Sequence, residues 1–113
     1  MKIIDSLVKM SELKQLADEQ FGGELVKAVV DVEKKIMVIG GAMHADEEAM
    51  LLEHGSLQQN LWGINIRPSD QDLIEFDSMI NIRPSQGNRS RSVEDEAVRK
   101  NIRSIVEGLI NND

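Results

Sequence analysis

Apolar residues change their spacing several times along this chain, and each change marks an element. Met10, Leu13, Leu16, Ala17 and Phe21 recur at three- and four-residue intervals. That spacing predicts a helix over about residues 11–21, with Ser11 as its N-cap and Gly22-Gly23 as its stop. Residues 2–4 read either as a short strand or as the approach to this helix. From residue 25 to 39 the period falls to two. Val26, Ala28, Val30 and Val32 alternate with Lys27, Asp31 and Glu33, the chain turns at Glu33-Lys34-Lys35, and Ile36 to Ile39 return before Gly40-Gly41. This predicts a β-hairpin.

A second helix is expected over about 45–53, with Ala45, Ala49 and Leu52 as its apolar stripe and Gly55 beyond its end. Asp46, Glu47 and Glu48 fall in its first turn, where the helix dipole favours negative charge. Two strands follow, about 61–67 and 73–83, joined by residues 68–72. A polar loop, 84–91, leads to a third helix over about 93–111. Val98, Ile102, Ile105, Val106 and Leu109 form its core stripe, and Ser92 with Asp95 makes a weak variant of the capping box. The order is α-β-β-α-β-β-α. Local hairpins dominate it, which predicts an α+β fold with a four-stranded, mainly antiparallel sheet and helices packed on one face. With 113 residues and no break in composition, residues 1–113 read as a single domain.

Within this pattern one hexapeptide is written twice. Ile64-Asn65-Ile66-Arg67-Pro68-Ser69 recurs as Ile80-Asn81-Ile82-Arg83-Pro84-Ser85. Each copy alternates apolar and polar residues and stops at proline, as an amphipathic strand would. A turn centred on Asp70 sets Arg67 opposite Leu73 and Asn65 opposite Glu75. Arg83 then lies about 33 Å further along a straight strand, at ~3.3 Å per residue. The two arginines therefore cannot hold one ligand within a monomer, unless the strand bends near Ser78 or a dimer joins the copies. The plainer reading makes Asn65, Arg67, Glu75, Asp77, Asn81 and Arg83 a solvated face with cross-strand ion pairs.

Candidate chemistry gathers around the second copy. In Pro84 to Arg91, Gly87 and Asn88 let backbone amides converge, and Arg83, Gln86, Asn88, Arg89 and Arg91 add side-chain donors ahead of a helix start. That combination suits a phosphate or carboxylate. The structural alternative is a surface loop whose arginines pair with Glu94, Asp95 and Glu96. A second group is His44 with Glu47 or, in the preferred set, Glu48, completed by Glu75 and Asp77. It would serve a metal-assisted hydrolase or nuclease if those side chains converge. It is not a His-Glu-x-x-His motif, and an acidic helix start with ion-paired strand carboxylates explains the same residues. Trp62-Gly63 suits either a pocket floor or core area.

Charge and composition narrow the classes. The net charge of −7 disfavours non-specific binding to nucleic acid or acidic membranes. No cysteine is present, which removes disulfides, thiolate metal sites and cysteine nucleophiles. The N-terminus lacks the apolar run of a signal peptide, and no segment approaches a membrane span, so a cytoplasmic address is expected. Whether a cofactor is bound is left open by the sequence. Aromatics are only Phe21, Trp62 and Phe76, so the core must be aliphatic, with six methionines.

Several segments together resemble a known family. They are Val26 to Glu33, Gly40-Gly41, His44-Ala45-Asp46-Glu47-Glu48-Ala49, Leu61-Trp62-Gly63, Ile74 to Ser78, and Ile80 to Ser90. They are similar to a family of short prokaryotic proteins known only as a domain of unknown function, over about residues 20–110. The resemblance implies a stand-alone single-domain protein and transfers no activity or functional residue. The residues themselves favour a binding module for a small anionic ligand or an acidic partner group. The metal-assisted hydrolase, and an assembly or regulatory protein acting by self-association as a homo-oligomer, are the alternatives.

Overall fold

The computed structural model describes residues 1–112. In chain order the elements are β1 (Lys2–Ile4), β2 (Val8–Lys9), α1 (Met10–Phe21), β3 (Val26–Asp31) and β4 (Ile36–Ile39). Then come α2 (His44–Glu53), β5 (Leu61–Ile66), β6 (Ile74–Glu75), α3 (Glu96–Leu109) and β7 (Ile110–Asn111). Single 3-10 turns cover Gln58–Asn60, Met79–Asn81 and Pro84–Gln86. The fold is α+β: five strands form an antiparallel sheet in the order β1-β4-β3-β5-β6, and β2 and β7 make a small parallel pair. The sheet thus has five strands rather than four, because residues 2–4 extend its edge beyond β4.

The expected hairpin is present, with Ala28 paired to Ile39 and Asp31 to Ile36. Buried Asp31 holds its turn: its Oδ1 accepts the Glu33 and Lys34 amides at 2.9 Å, and its Oδ2 accepts the Ser56 hydroxyl at 2.6 Å.

Helices cover both faces of the sheet, not one. Leu13 and Ala17 of α1 and Ile102, Ile105 and Val106 of α3 pack with Ala28, Val30, Met37 and Ile64 in the larger apolar cluster. Leu51 of α2 packs with Val29, Val38 and Leu61 in a smaller one. The physical reason lies in β3 and β4, whose Val29 and Val38 make the opposite face apolar as well. A strand buried on both faces reads as a continuous apolar run, not an alternating one.

Two helix starts and one buried helix face differ from expectation. Ser11 is not a cap: β2 runs directly into α1, and Lys9 precedes it without a side-chain cap. Ala45, Ala49 and Leu52 of α2 face outward, while Glu47 and Leu51 are buried, with His44 and Glu48 partly buried beside them. The inner face of α2 is therefore largely polar, a pattern that an apolar stripe cannot reveal. α3 begins later than expected, where Asp95 accepts the amides of Ala97 and Val98. Among the described residues no helix is long and apolar enough to cross a membrane.

Candidate functional site

The two hexapeptide copies fold differently. In the first, Ile64, Asn65 and Ile66 lie in β5, with Asn65 opposite Glu75 as the spacing requires. Glu75 Oε1 accepts Asn65 Nδ2 at 2.8 Å and the Arg67 guanidinium at 3.1 Å. In the second, the expected strand ends at Glu75, and Ile80 and Asn81 sit in a 3-10 turn. Ser78 begins that turn by accepting the Ile80 amide. The turn swings the second copy against the part of β5 that β6 leaves unpaired, since β6 pairs only Asn65 and Ile66.

There the copy's side chains replace a strand. The Asn81 amide group bonds both backbone groups of Gly63, and the Arg83 guanidinium donates to the carbonyls of Gln58 and Leu61. Arg83 also lies 4.1 Å over the Trp62 ring. Gly63 is required because a Cβ there would stand 2.5 Å from Ser78 Oγ and 2.6 Å from Ser78 Cβ. The bend at Ser78 does occur, yet it brings Arg83 to Leu61, at the opposite end of β5 from Arg67. Six residues at ~3.3 Å separate those ends by roughly 20 Å.

The donor-rich loop is largely satisfied from within. Buried Asn88 donates to the carbonyls of Asn81 and Ser92, both at 2.7 Å, and accepts the Glu94 amide at 2.9 Å. Glu94 Oε2 accepts the amides of Arg89 and Ser90, each at 2.8 Å. Hydrogen bonding from Ser90, chiefly its side chain, and from the Arg89 amide holds the Glu94 carboxyl below its ordinary pKa. The Arg89 and Ser90 amides thus converge on the chain's own Glu94 carboxylate, while the Gly87 and Asn88 amides bond the Pro84 and Arg83 carbonyls. Gln86 donates to the Gln59 carbonyl at 3.1 Å. Gln86 and Asn88 border a depression that also holds Glu94 and Asp95, whose charges oppose an anion. Arg89 is exposed, and Arg91 turns away to donate to Asp77 at 2.7 Å.

Arg91 thereby reaches a different cavity, of about 400 Å³, at the start of α2. Phe21, Leu25, Met43, Met79 and Ile80 give it apolar walls. Lys27, Arg91, Asp77, Asn65 and His44 converge on it. No side chain caps α2, so its first amides, at His44 and Ala45 on the cavity wall, remain available for an acceptor. The Ile64 carbonyl lies 2.7 Å from His44 Nε2. A carbonyl can only accept, so Nε2 carries the proton. Burial lowers the His44 pKa, with Lys27 and Arg91 acting in the same direction against the Ile64 bond and Asp77. The imidazole is therefore neutral near pH 7, with Nδ1 unprotonated. Lys27 was legible only as one polar residue of an alternating strand, and Met43 and Met79 carried no signal at all. Only folding brings Lys27 and Met79 to the His44 side.

Of the four metal-ligand candidates, His44 and Asp77 share this cavity. Glu75 is engaged by Asn65 and Arg67, and Glu48 lies on the inner face of α2, where its charge acts on Arg83. Among the described residues no three His, Asp or Glu side chains come together as a ligand set. Glu47 is fully buried beside them. Its Oε2 accepts the Gly41 amide at 3.0 Å, and burial raises its pKa to about 9.

These features define a small α+β domain with an amphiphilic cavity between its sheet and a helix start. The chain belongs to the family described as "Protein of unknown function (DUF5674)", whose model matches residues 2–109. No curated protein and no solved structure matches it.

Proposed function

We propose that this protein is a binding module for a small anionic ligand with an apolar body, held in the cavity at the start of α2. The observation that carries this reading is the convergence of an uncapped helix N-terminus, Lys27 and Arg91 on mainly apolar walls. Such a cavity, with a few convergent polar groups and a perturbed histidine, has the character of a ligand site. The anion would accept from the His44 and Ala45 amides and face the two cations. The apolar body would lie against Phe21, Leu25 and Met79. Relative to the sequence-based candidates, the site keeps Arg91 and releases Arg83 and Asn88 to structural roles.

Octanoate is a suitable probe, because it joins a carboxylate to an apolar chain. Titrated into the full chain and followed by amide shifts, it should move Met43 to Asp46 saturably, and Lys27→Gln should weaken the effect about tenfold. No change in those amides at millimolar octanoate would remove this site from consideration.

A further inference from the structure

We propose a second, independent site: a phosphate-binding cavity formed by Arg99 and Arg103 of α3 with Arg67 at the end of β5. The cavity encloses about 410 Å³ and has Phe76 in its wall.

Arg99 and Arg103 are one helical turn apart and share a face. Like charges at that spacing repel when nothing intervenes. Both nevertheless lie over the same Phe76 ring, with centroid distances of 5.4 and 5.1 Å. Arg99 is partly buried, and its bonds go to neutral acceptors: Nε to the Val93 carbonyl at 2.5 Å and one terminal nitrogen to Ser92 Oγ at 3.1 Å. Among the described residues no carboxylate comes within 4.0 Å of it. A partly buried cation without a counter-charge is costly. An arriving anion would relieve that cost, and the two bonds already hold the guanidinium in place.

Arg103 is only loosely engaged. Its nitrogen is 3.6 Å from Asp72 Oδ1, beyond hydrogen-bonding distance, and the Asp72 side chain is 77% exposed. Exposed pairs of this kind contribute little and are readily displaced. Arg67 is bound to Glu75 and adds positive potential rather than a released fork. Asp70, Asp72 and Glu75 also line the cavity; Glu75 is met by Arg67, and the two aspartates repel any anion. A monoanionic carboxylate gains one fork against that repulsion. A phosphate carries about two charges and enough oxygens to bridge the guanidinium groups of Arg99 and Arg103 together. The cavity therefore favours phosphate over carboxylate.

The test follows arginine Nε–H signals of the full chain during titration with inorganic phosphate and with glycerol phosphate. Sodium acetate and sodium chloride at matched ionic strength serve as controls. Saturable shifts at Arg99 and Arg103 with either phosphate are expected, and the tighter of the two tells whether the natural group is free or esterified. Arg103→Gln, at an exposed position, should keep the amide spectrum and lose at least tenfold in affinity. Non-saturating shifts, an equal response to acetate or chloride, or unchanged affinity in Arg103→Gln would overturn the proposal. A phosphate response confined to Met43–Asp46 would also overturn it, while leaving the α2 cavity as the anion site.

Discussion

Asn81 completes the backbone hydrogen bonding of Gly63: Oδ1 accepts the Gly63 amide at 2.8 Å and Nδ2 donates to the Gly63 carbonyl at 2.9 Å. One side chain thus does for β5 what a neighbouring strand would do. It also donates to the Arg91 carbonyl at 2.9 Å, so the same amide ties the sheet to the loop that aims Arg91 at the cavity.

Asn81→Ala leaves both backbone groups of Gly63 without their partner, while the Arg91 carbonyl keeps only the Ser78 amide. Each buried orphan costs about 1–3 kcal/mol, so the variant should lose about 3 kcal/mol or more in denaturant unfolding. Asn81→Asp should lose stability as well, because a carboxylate facing the Gly63 and Arg91 carbonyls cannot donate. Unfolding midpoints equal to the parent's would show that the contact contributes nothing.

Arg83→Lys tests whether Arg83 is a structural clamp. A lysine can neither present two forked donors to the Gln58 and Leu61 carbonyls nor stack flat over Trp62. The variant should lose about 2 kcal/mol. Because Trp62 is the single tryptophan, its emission should shift as well. Unchanged stability and fluorescence would return Arg83 to the pool of available ligand contacts.

Glu47→Gln should stabilise the protein increasingly as pH rises. Burial raises the Glu47 pKa to about 9 in the folded chain, above its ordinary 4.5. The folded state then holds a proton that the unfolded state releases. Stability from this group is complete below about pH 4.5 and falls as pH rises toward 9, with a slope of up to about 1.4 kcal/mol per pH unit. The neutral amide has no such slope. Melting temperatures of parent and variant should converge near pH 4–5 and separate by pH 8. A constant difference across that range would contradict a neutral Glu47.

His44 carries the opposite dependence. Its pKa is lowered by burial, so the unfolded chain takes up the proton first as pH falls below 6.5. Stability is present above that value and is lost as pH drops through the folded pKa. His44→Gln should flatten this acid limb of the melting curve. A ring titration of His44 at or above 6.5, followed by NMR, would contradict it.

How much of this was legible beforehand depended on whether neighbours in sequence were also neighbours in space. Asn65 opposite Glu75, with Arg67 ion-paired beside them, came from strand spacing alone and is what the sheet contains. The candidate donors split. Asn88, Glu94 and the Arg89 and Ser90 amides stand within a few residues of one another and bond within the loop, but among the described residues its arginines do not pair with Glu94, Asp95 or Glu96, and Arg91 pairs with Asp77 instead. Arg83 was misplaced, because nothing local shows that Ser78 turns the chain over Gly63.

Period, punctuation and charge in the amino-acid order were enough to set the α+β class, the β3–β4 hairpin, all three helices and the register at Asn65. Each rests on interactions between residues close in the chain, which a spacing rule can follow. Long-range packing decided the rest. It put α2 on the far face, turned Glu47 inward onto Gly41, made a strand substitute of Asn81, and joined Lys27, His44 and Arg91 around one cavity. The reason is physical: which face of a polar helix is buried, and which side chain fills an open strand edge, depend on surfaces that meet only after the sheet has formed.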